Sequence, residues 1–297
     1  MKYAFCCSCN MGYMFCVNSS MNLLAKMGST IDWEIAYDNV PDQYRENMSK
    51  AFPFKVHWTP IPELYNTTQK RADRFWISTW LMTAKAIDKY DAVCNTQGDL
   101  FIMSNMDSLF EATAKSEIII ITEHFNTNPT LEDLYKRDTP LTHRSECALT
   151  DQFIICNKKY KYLFTEVAKW MDKDKSTIKG EQNHPIIALN NVFRETIPFN
   201  KVIPLERHIW TFQKGVFDMN LRLKGDYLYN DRNIRIKAWH NRWWQKGKVL
   251  GELQIAEKSN NDTSIFRKNA TLIRDFMAKY NDMTPETRID NYEKTIF

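Results

Sequence analysis

The stretch that most constrains the fold runs from Asp91 to Phe110, where a short polar turn separates two apolar strands. Ala92 to Cys94 enters the turn and Leu100 to Met103 leaves it, with Asp99 next to Gly98 between them. An acidic side chain on a tight turn at the end of a buried strand is costly to desolvate unless a partner neutralises it. A divalent cation is one such partner, and nucleotide diphosphates bring one with them. The stretch therefore predicts a cation-assisted site at Asp99.

Short apolar runs alternate with helical patterns along the chain, which predicts an α/β fold. Tyr3 to Cys7 is expected to be a first strand, Met14 to Met27 a helix, and Thr30 to Tyr37 a second strand. Ser116 to Thr122 contains four consecutive isoleucines, which favour a strand interior to the sheet. The other expected elements are strands at Lys55–Trp58, Asp151–Cys156, Lys201–Leu205 and Ile234–Trp239, helices at Asp73–Ile87, Tyr160–Met171, Ile186–Phe193 and Ser264–Tyr280, and a polar loop at Asn126–Arg144.

Composition is typical of a globular protein, because 43% of the 297 residues are hydrophobic and there are only 8 Gly and 10 Pro. The net charge of +4 neither requires nor excludes a polyanionic partner. The segment from Lys201 to Leu250 is more basic, at +7, from 11 Lys/Arg and 4 Asp/Glu. The sequence has no signal-peptide pattern and no run approaching the roughly 20 apolar residues of a spanning helix. We therefore expect a cytoplasmic protein without stable membrane insertion.

Three of the seven cysteines, Cys6, Cys7 and Cys9, crowd together near the end of the expected first strand. No second Cys/His pair follows at zinc-ligand spacing, so a structural zinc is disfavoured. Buried, reduced thiols fit a cytosolic protein better.

Three pieces of sequence occur in the order found in GT-A glycosyltransferases, and the chain most resembles the family 8-like retaining enzymes. The first is Arg71 to Phe110, in which Gln97-Gly98-Asp99 occupies the place of the family's Asp-x-Asp motif. The second is Glu181-Gln182 ahead of a Leu-Asn-containing helix, and the third is His240 followed by a Gly/Lys segment, Gln245 to Lys248. The resemblance covers roughly residues 1–245. It implies a mixed, Rossmann-like sheet flanked by helices over residues 1–255, with a helical C-terminal extension over 256–297.

The resemblance also implies roles for individual residues in transfer of a sugar from a nucleotide diphosphate, with UDP the expected nucleotide. Asp99 and His240 are the expected ligands of Mn²⁺ (or Mg²⁺), with Mn²⁺ favoured once an imidazole is a ligand. Glu181, Gln182 and Asp151 are expected around the transferred sugar, Asp151 at its hydroxyls. The expected donor-binding residues are Cys7, Ser8, Tyr13, Arg71, Arg74, Gln97, Gly98, Lys246 and Lys248.

Gln97 departs from the family pattern, because it stands where the first Asp of the motif belongs. Its amide can offer a carbonyl oxygen to a metal or hydrogen-bond a ribose hydroxyl, but it carries no charge. Strict metal dependence is therefore an open question, and a non-catalytic sugar-nucleotide or carbohydrate-binding protein is one alternative. A sugar-nucleotidyltransferase is disfavoured because the turn after the first strand, Asn10 to Tyr13, has a single glycine.

The acceptor has two interpretations. The first is a glycan, as for a transferase that builds lipopolysaccharide or capsule. The second is hydroxymethylated DNA, as for a phage enzyme acting in its host's cytoplasm, suggested by the interleaved aromatic and basic residues of Trp239 to Lys248. DNA as the acceptor requires an exposed or flipped base and strong dependence on salt.

Overall fold

The structure is a computed structural model that describes residues 1–65, 71–124, 129–173, 180–181, 184–210, 220–240, 246–258 and 263–281. Within these ranges it does not describe the side chains at 71–73, 207–208, 246–248, 252 and 255–256.

Strands and helices alternate through the first two-thirds of the chain, as the sequence pattern predicts. The strands are β1 (Tyr3–Cys9), β2 (Asp32–Tyr37), β3 (Val56–Pro60), β4 (Ala92–Thr96), β5 (Leu100–Ile102), β6 (Ile119–Glu123), β7 (Leu149–Cys156), β8 (Val202–Leu205), β9 (Arg222–Lys224), β10 (Tyr227–Tyr229) and β11 (Ala238–His240). The helices are α1 (Met11–Lys26), α2 (Asp42–Ala51), α3 (Ile61–Leu64), α4 (Arg71–Ala86), α5 (Asp107–Ser116), α6 (Leu131–Tyr135), α7 (Lys161–Met171), α8 (Pro185–Thr196), α9 (Arg207–Trp210), α10 (Lys246–Lys258) and α11 (Ser264–Asn281).

Seven strands form one mixed sheet in the order β3-β2-β1-β4-β7-β6-β8. Strands β3, β2, β1 and β4 are parallel, β7 is antiparallel to both of its neighbours, and β6 is parallel to β8. Two small sheets complete the described part, the hairpin β9–β10 and the antiparallel pair β5–β11. The predicted α/β architecture, a mixed sheet flanked by helices, is therefore confirmed.

Apolar residues fill both faces of the large sheet, because successive side chains on a strand point to opposite sides. On β1, Phe5 and Cys7 belong to one hydrophobic cluster, while Ala4 and Cys6 belong to another on the opposite face. All seven cysteines are buried and unpaired by disulfides, as expected for reduced thiols. Burial raises the pKa of the Cys7 thiol to about 12, so this group is neutral and packs as an apolar side chain.

The polar segment predicted as a loop, 126–144, contains a short helix, so that expectation was wrong in part. Helix α6 begins with a capping box, in which Thr130 accepts from the Asp133 amide and Asp133 accepts from the Thr130 amide. Reciprocal caps of this kind satisfy amides that the first turn of a helix leaves free. The polarity and the proline of this segment favour a loop, whereas its Thr-x-x-Asp pattern is the capping signal that indicates the helix.

The last strand begins later than predicted: the expected range was Ile234–Trp239, and β11 covers Ala238–His240. Asn233 has a φ of 61°, and the Asn233 amide donates to the Asn230 carbonyl at 3.1 Å, so the chain turns just before the expected strand begins. The hairpin β9–β10, with Gly225 at its tip at a φ of 61°, was not predicted. Its strands have three residues each, which is too short to give a periodic signal.

Helix α11 packs on α1 through buried polar contacts. The Asn18 side-chain amide donates to the Asn281 side-chain oxygen at 2.8 Å, and the Ser19 hydroxyl donates to the Met277 carbonyl at 3.0 Å. These bonds fix the rotation of α11 on α1, which apolar contact alone specifies less strictly. Among the described helices, none combines the length and the apolar character needed to cross a membrane.

Candidate active site

The turn between β4 and β5 places Gln97, Gly98 and Asp99 beside the carboxyl end of β1. A Cβ atom on Gly98 would lie 2.5 Å from the Ser8 carbonyl oxygen and 3.3 Å from Cβ of Tyr13. No ordinary side chain fits at that separation, so glycine is required for the turn to pack against the first strand. Parallel strands end together at this edge of the sheet, where open α/β sheets bind their ligands.

Pairing of β11 with β5 brings His240 to this turn. His240 lies opposite Leu100 in the register, and its Nε2 is 2.8 Å from Gln97 Oε1 and 3.3 Å from Asp99 Oδ1. The other ring nitrogen, Nδ1, is 2.9 Å from the amide nitrogen of Gln152. Since that amide nitrogen donates, Nδ1 accepts and Nε2 carries the proton in neutral His240. The imidazole is thus held in one orientation from both sides.

Asp151 adds a second buried carboxyl group, from the start of β7 next to β4. Burial raises the pKa of Asp151 to about 6, against the opposing effects of nearby His240 and of a hydrogen bond from the Gln97 side chain. Asp99 is close enough to oppose ionisation of Asp151. Two carboxyl groups and one imidazole therefore share a site in which Asp151 exchanges a proton near neutral pH.

These groups open into a cavity of about 320 Å³. Three aromatic side chains, Tyr13, Phe75 and Trp76, form part of its wall, and the Tyr13 and Phe75 rings stack with their centroids 5.3 Å apart. The lining residues are Tyr13, Phe75, Trp76, Thr79, Gln97, Gly98, Asp99, His124, Arg144, Asp151, Gln152, His184, Pro185, Ile186 and His240. A space of this size, which combines aromatic rings with convergent polar groups, is typical of a small-molecule site.

The structure brings six of the predicted site residues to the cavity: Tyr13, Gln97, Gly98, Asp99, Asp151 and His240. Ser8 lies just behind it, with its hydroxyl 2.7 Å from that of Thr79. Cys7 is fully buried in the core and does not line the cavity. Arg74 is half-buried on α4, and its Nε has no hydrogen-bond partner in the described part of the chain. The side chains of Arg71, Lys246 and Lys248, and all of Gln182, lie outside the described residues.

Glu181 lies at the rim, where it pairs with Arg144. The Arg144 Nε is 3.2 Å from Glu181 Oε2, and its Nη2 is 3.3 Å from Oε1. The Arg144 hydrogen bond lowers the pKa of Glu181, which is therefore a carboxylate at neutral pH. Arg144 was not among the predicted site residues, because it ends a polar segment with no motif.

His184 also lines the cavity, from the N-terminus of α8. Its Nδ1 accepts from the Ile186 amide at 3.3 Å, so the ring serves as the cap of this helix. Burial, with Arg144 nearby, lowers the pKa of His184 to about 4, so the imidazole is neutral. Its position just before Pro185 was the signal available in the sequence.

Comparison with known proteins finds similarity in structure alone. The sequence matches no protein-family model and no curated protein. The galactosyltransferase LgtC, in complex with donor and acceptor sugar analogues, superposes with a TM-score of 0.55 at 9% identity, over 96% of this chain and 98% of that one. The bifunctional glycosyltransferase WbbM superposes with a TM-score of 0.56 at 11% identity, over 96% of this chain and 50% of that one.

The chain has the GT-A fold. It spans nearly all of the LgtC chain but only half of the WbbM chain. The expected resemblance to GT-A glycosyltransferases is therefore confirmed at the level of structure.

The residues around Asp99 fit the divalent cation that the resemblance implies. Adjacent ligands of an octahedral ion with bonds of about 2.1 Å lie about 3 Å apart. The 2.8 Å and 3.3 Å separations of His240 Nε2 from Gln97 Oε1 and Asp99 Oδ1 match that spacing. Asp99 is the only carboxylate among these three groups, and the described residues include no cluster of three His, Cys, Asp or Glu side chains suited to a metal. A cation here would need further ligands, such as diphosphate oxygens.

Proposed function

We propose that the protein is a glycosyltransferase that moves a sugar from a nucleotide diphosphate, with UDP the favoured nucleotide, to a hydroxyl acceptor. The observation that carries the proposal is the convergence of Gln97, Asp99 and His240 in the cavity at the carboxyl edge of a GT-A sheet. The turn that bears Asp99 is fixed against the first strand by Gly98, so the carboxylate is positioned before a ligand arrives.

The part of the cavity wall formed by Tyr13 and Phe75 is the proposed binding site of the nucleotide. Tyr13 stacks on Phe75 and lines the cavity at the end of β1, so one ring face can meet a base. Gln97 can hydrogen-bond a ribose hydroxyl through its amide. Half-buried Arg74 has an Nε without a partner in the described residues, which suits a cation directed at phosphate oxygens.

Departure of the diphosphate requires positive charge at the leaving oxygens. A bound Mn²⁺ or Mg²⁺, held by Asp99, His240 and the Gln97 carbonyl, would supply that charge as a Lewis acid. His240 must lose its Nε2 proton to act as a ligand, and Gln152 can then accept from Nδ1 if its amide turns over. Gln152 is thus the residue that orients His240 for either state.

The transferred sugar is placed between Asp151 and the rim formed by Arg144 and Glu181. Asp151 would accept hydrogen bonds from sugar hydroxyls when ionised. If the reaction retains configuration, Glu181 or Gln182 would line the face of the sugar opposite the leaving group. The ion pair with Arg144 keeps Glu181 charged and limits its movement.

A panel of nucleotide sugars, each with and without Mn²⁺, tests the proposal by release of nucleoside diphosphate. We expect one donor to be hydrolysed slowly, and the release to be lost in Asp99→Asn and His240→Ala. Asp138→Asn and His57→Ala remove the same side chains at exposed positions and should retain it. A donor that raises the melting temperature without release would indicate a binding protein instead. No release and no thermal shift from any nucleotide would overturn the proposal.

A further inference from the structure

The two-stranded ribbon β9–β10 carries an alternation of cations and tyrosines. Arg222 lies opposite Tyr229, and Lys224 lies opposite Tyr227, so these four side chains share one face of the ribbon. Arg235 joins the same face, because it forms a β-bridge with Tyr229. Leu228 lies on the other face, where it is fully buried. We call these five residues, Arg222, Lys224, Tyr227, Tyr229 and Arg235, the ribbon face.

Cations and rings are in direct contact on the ribbon face. The Arg235 guanidinium lies 3.6 Å from the centroid of Tyr227, and the Lys224 ammonium lies 5.2 Å from that of Tyr229. Such contacts hold long side chains in place without neutralising their charge. Arg222 and Lys224 are both exposed, and two strand positions separate them by about 6.8 Å.

No carboxylate of the described residues pairs with the three cations. Arg222 donates to the Asp231 carbonyl at 3.1 Å, Lys224 to the Asn233 side-chain oxygen at 2.7 Å, and Arg235 to the Met103 carbonyl at 3.4 Å. All three acceptors are neutral. Burial lowers the pKa of neighbouring Lys237, and Arg235 adds to that effect.

Acidic residues of this segment are few, and Asp226, one of the two, is already engaged with other cations. From 220 to 240 there are five Lys/Arg and two Asp, at positions 226 and 231. Asp226 is held by Lys26 at 2.7 Å and Lys279 at 2.8 Å. Within the described ranges, the cations of the ribbon face are therefore left without an ion pair, and their positive charge is available to solvent or to an anionic partner.

The ribbon face is joined to the strands that build the active site. Arg235 donates to Met103, the residue after β5, and the chain continues from Arg235 into β11 and His240. Five extended residues span at most about 17 Å, so a polymer on the ribbon face would pass within that distance of His240.

We propose that the ribbon face docks the phosphate backbone of a nucleic acid. Cations at alternate positions suit successive phosphates, tyrosine rings suit bases and sugars, and a two-stranded ribbon fits the width of a DNA major groove. The docked nucleic acid would be the acceptor, an assignment that rests on the proposed transferase function. The binding itself does not depend on that function.

Fluorescence anisotropy with a labelled 20-base-pair duplex, without nucleotide sugar, tests the docking from 50 to 200 mM NaCl. The variant is R222Q/K224Q, in two exposed side chains. The charge-matched control is K115Q/K136Q, at exposed Lys115 on α5 and exposed Lys136 directly after α6. Loss of two phosphate contacts should reduce the slope of log K against log salt by about 1.8 and weaken binding more than tenfold near 0.1 M salt. The control should bind as the wild type does.

Three outcomes would overturn the proposal: no duplex binding by the wild type at 50 mM salt, equal affinity and slope in R222Q/K224Q, or equal loss in the control. Retention on phosphatidylglycerol vesicles without duplex binding would likewise overturn it in favour of a membrane surface. Because no donor sugar is present, these results are independent of the donor assays. Failure of glycosyl transfer and failure of docking are therefore distinguished.

Discussion

Asp151 in the cavity and Asp226 at the seam between the hairpin and α11 are aspartates in opposite situations. Asp226 is paired with Lys26 and Lys279 and accepts a hydrogen bond from Tyr280, and these partners lower its pKa strongly. Burial instead raises the pKa of Asp151 to about 6, because the desolvation outweighs the opposing effects of His240 and of the Gln97 hydrogen bond. A carboxylate with its full set of cation and hydrogen-bond partners stabilises the fold. A buried carboxyl group whose desolvation is not fully offset marks a place where a ligand can supply a hydrogen bond or a charge.

The largest expected effect is a difference in donor hydrolysis between a variant of the cavity and a variant of the Asp226 cluster. Asp99→Asn should reduce donor hydrolysis by about 100-fold or more, because the proposed cation would lose the carboxylate of the turn as a ligand. Asp226→Asn should leave hydrolysis intact and lower the melting temperature. Nucleoside diphosphate release and thermal unfolding of both variants check this. Equal activity in the two variants would contradict the distinction between the regions.

The pH dependence of stability should have opposite signs at the two aspartates. Asp151 has a folded-state pKa of about 6 against an ordinary 3.8. Its contribution to the free energy of unfolding therefore decreases as the pH rises from about 4 to about 6, by about 3 kcal/mol in total. Asp226 has a lowered pKa, so its contribution is present above pH 3.8 and is lost as the pH decreases further. Urea unfolding from pH 3 to 7 measures both.

Two variants show whether each part of the pH profile arises from the aspartate to which it is assigned. Asp151→Asn should remove the fall between pH 4 and 6, and Asp226→Asn should flatten the acid limb. A wild-type-like pH profile in Asp151→Asn would show that another group titrates there.

Substitution of a glycine by alanine should cost different amounts of stability in the two regions. Gly98→Ala should destabilise the protein by about 1–3 kcal/mol, because the added Cβ would lie 2.5 Å from the Ser8 carbonyl oxygen. Gly225→Ala, beside Asp226, meets no atom within 4 Å and carries only the strain of its positive φ, about 1 kcal/mol. Chemical denaturation of both variants gives the two values, and a larger loss in Gly225→Ala would contradict the close approach at Gly98.

The smallest effect is expected for Lys279→Gln. Lys26 and Tyr280 remain on Asp226, and exposed ion pairs contribute less than about 1 kcal/mol. The melting temperature should change little and donor hydrolysis not at all. A loss as large as that of Asp226→Asn would mean that Lys279 alone holds the carboxylate.

The sequence predicted those parts of the molecule that depend on local pattern. The strands through Cys94 and Ile121, and the turn with Asp99, follow from apolar runs and one glycine. Arg144 and Gln152 were missed because their roles depend on pairing between segments far apart in the chain. Cys7 was assigned to the donor from its place at a strand end, but side chains alternate along β1, and its own points into the core.

The pairing of β11 with β5 has a consequence for folding. Gln97 and His240 are 143 residues apart, so the contact between them closes a long loop. Contacts of such high sequence separation are slow to form, because chain entropy must be lost before they stabilise anything. A chain emerging from the ribosome therefore completes the parallel strands long before residue 240 is synthesised. The large sheet can therefore form early in synthesis, whereas the site at Gln97 and Asp99 is complete only after His240 has been made.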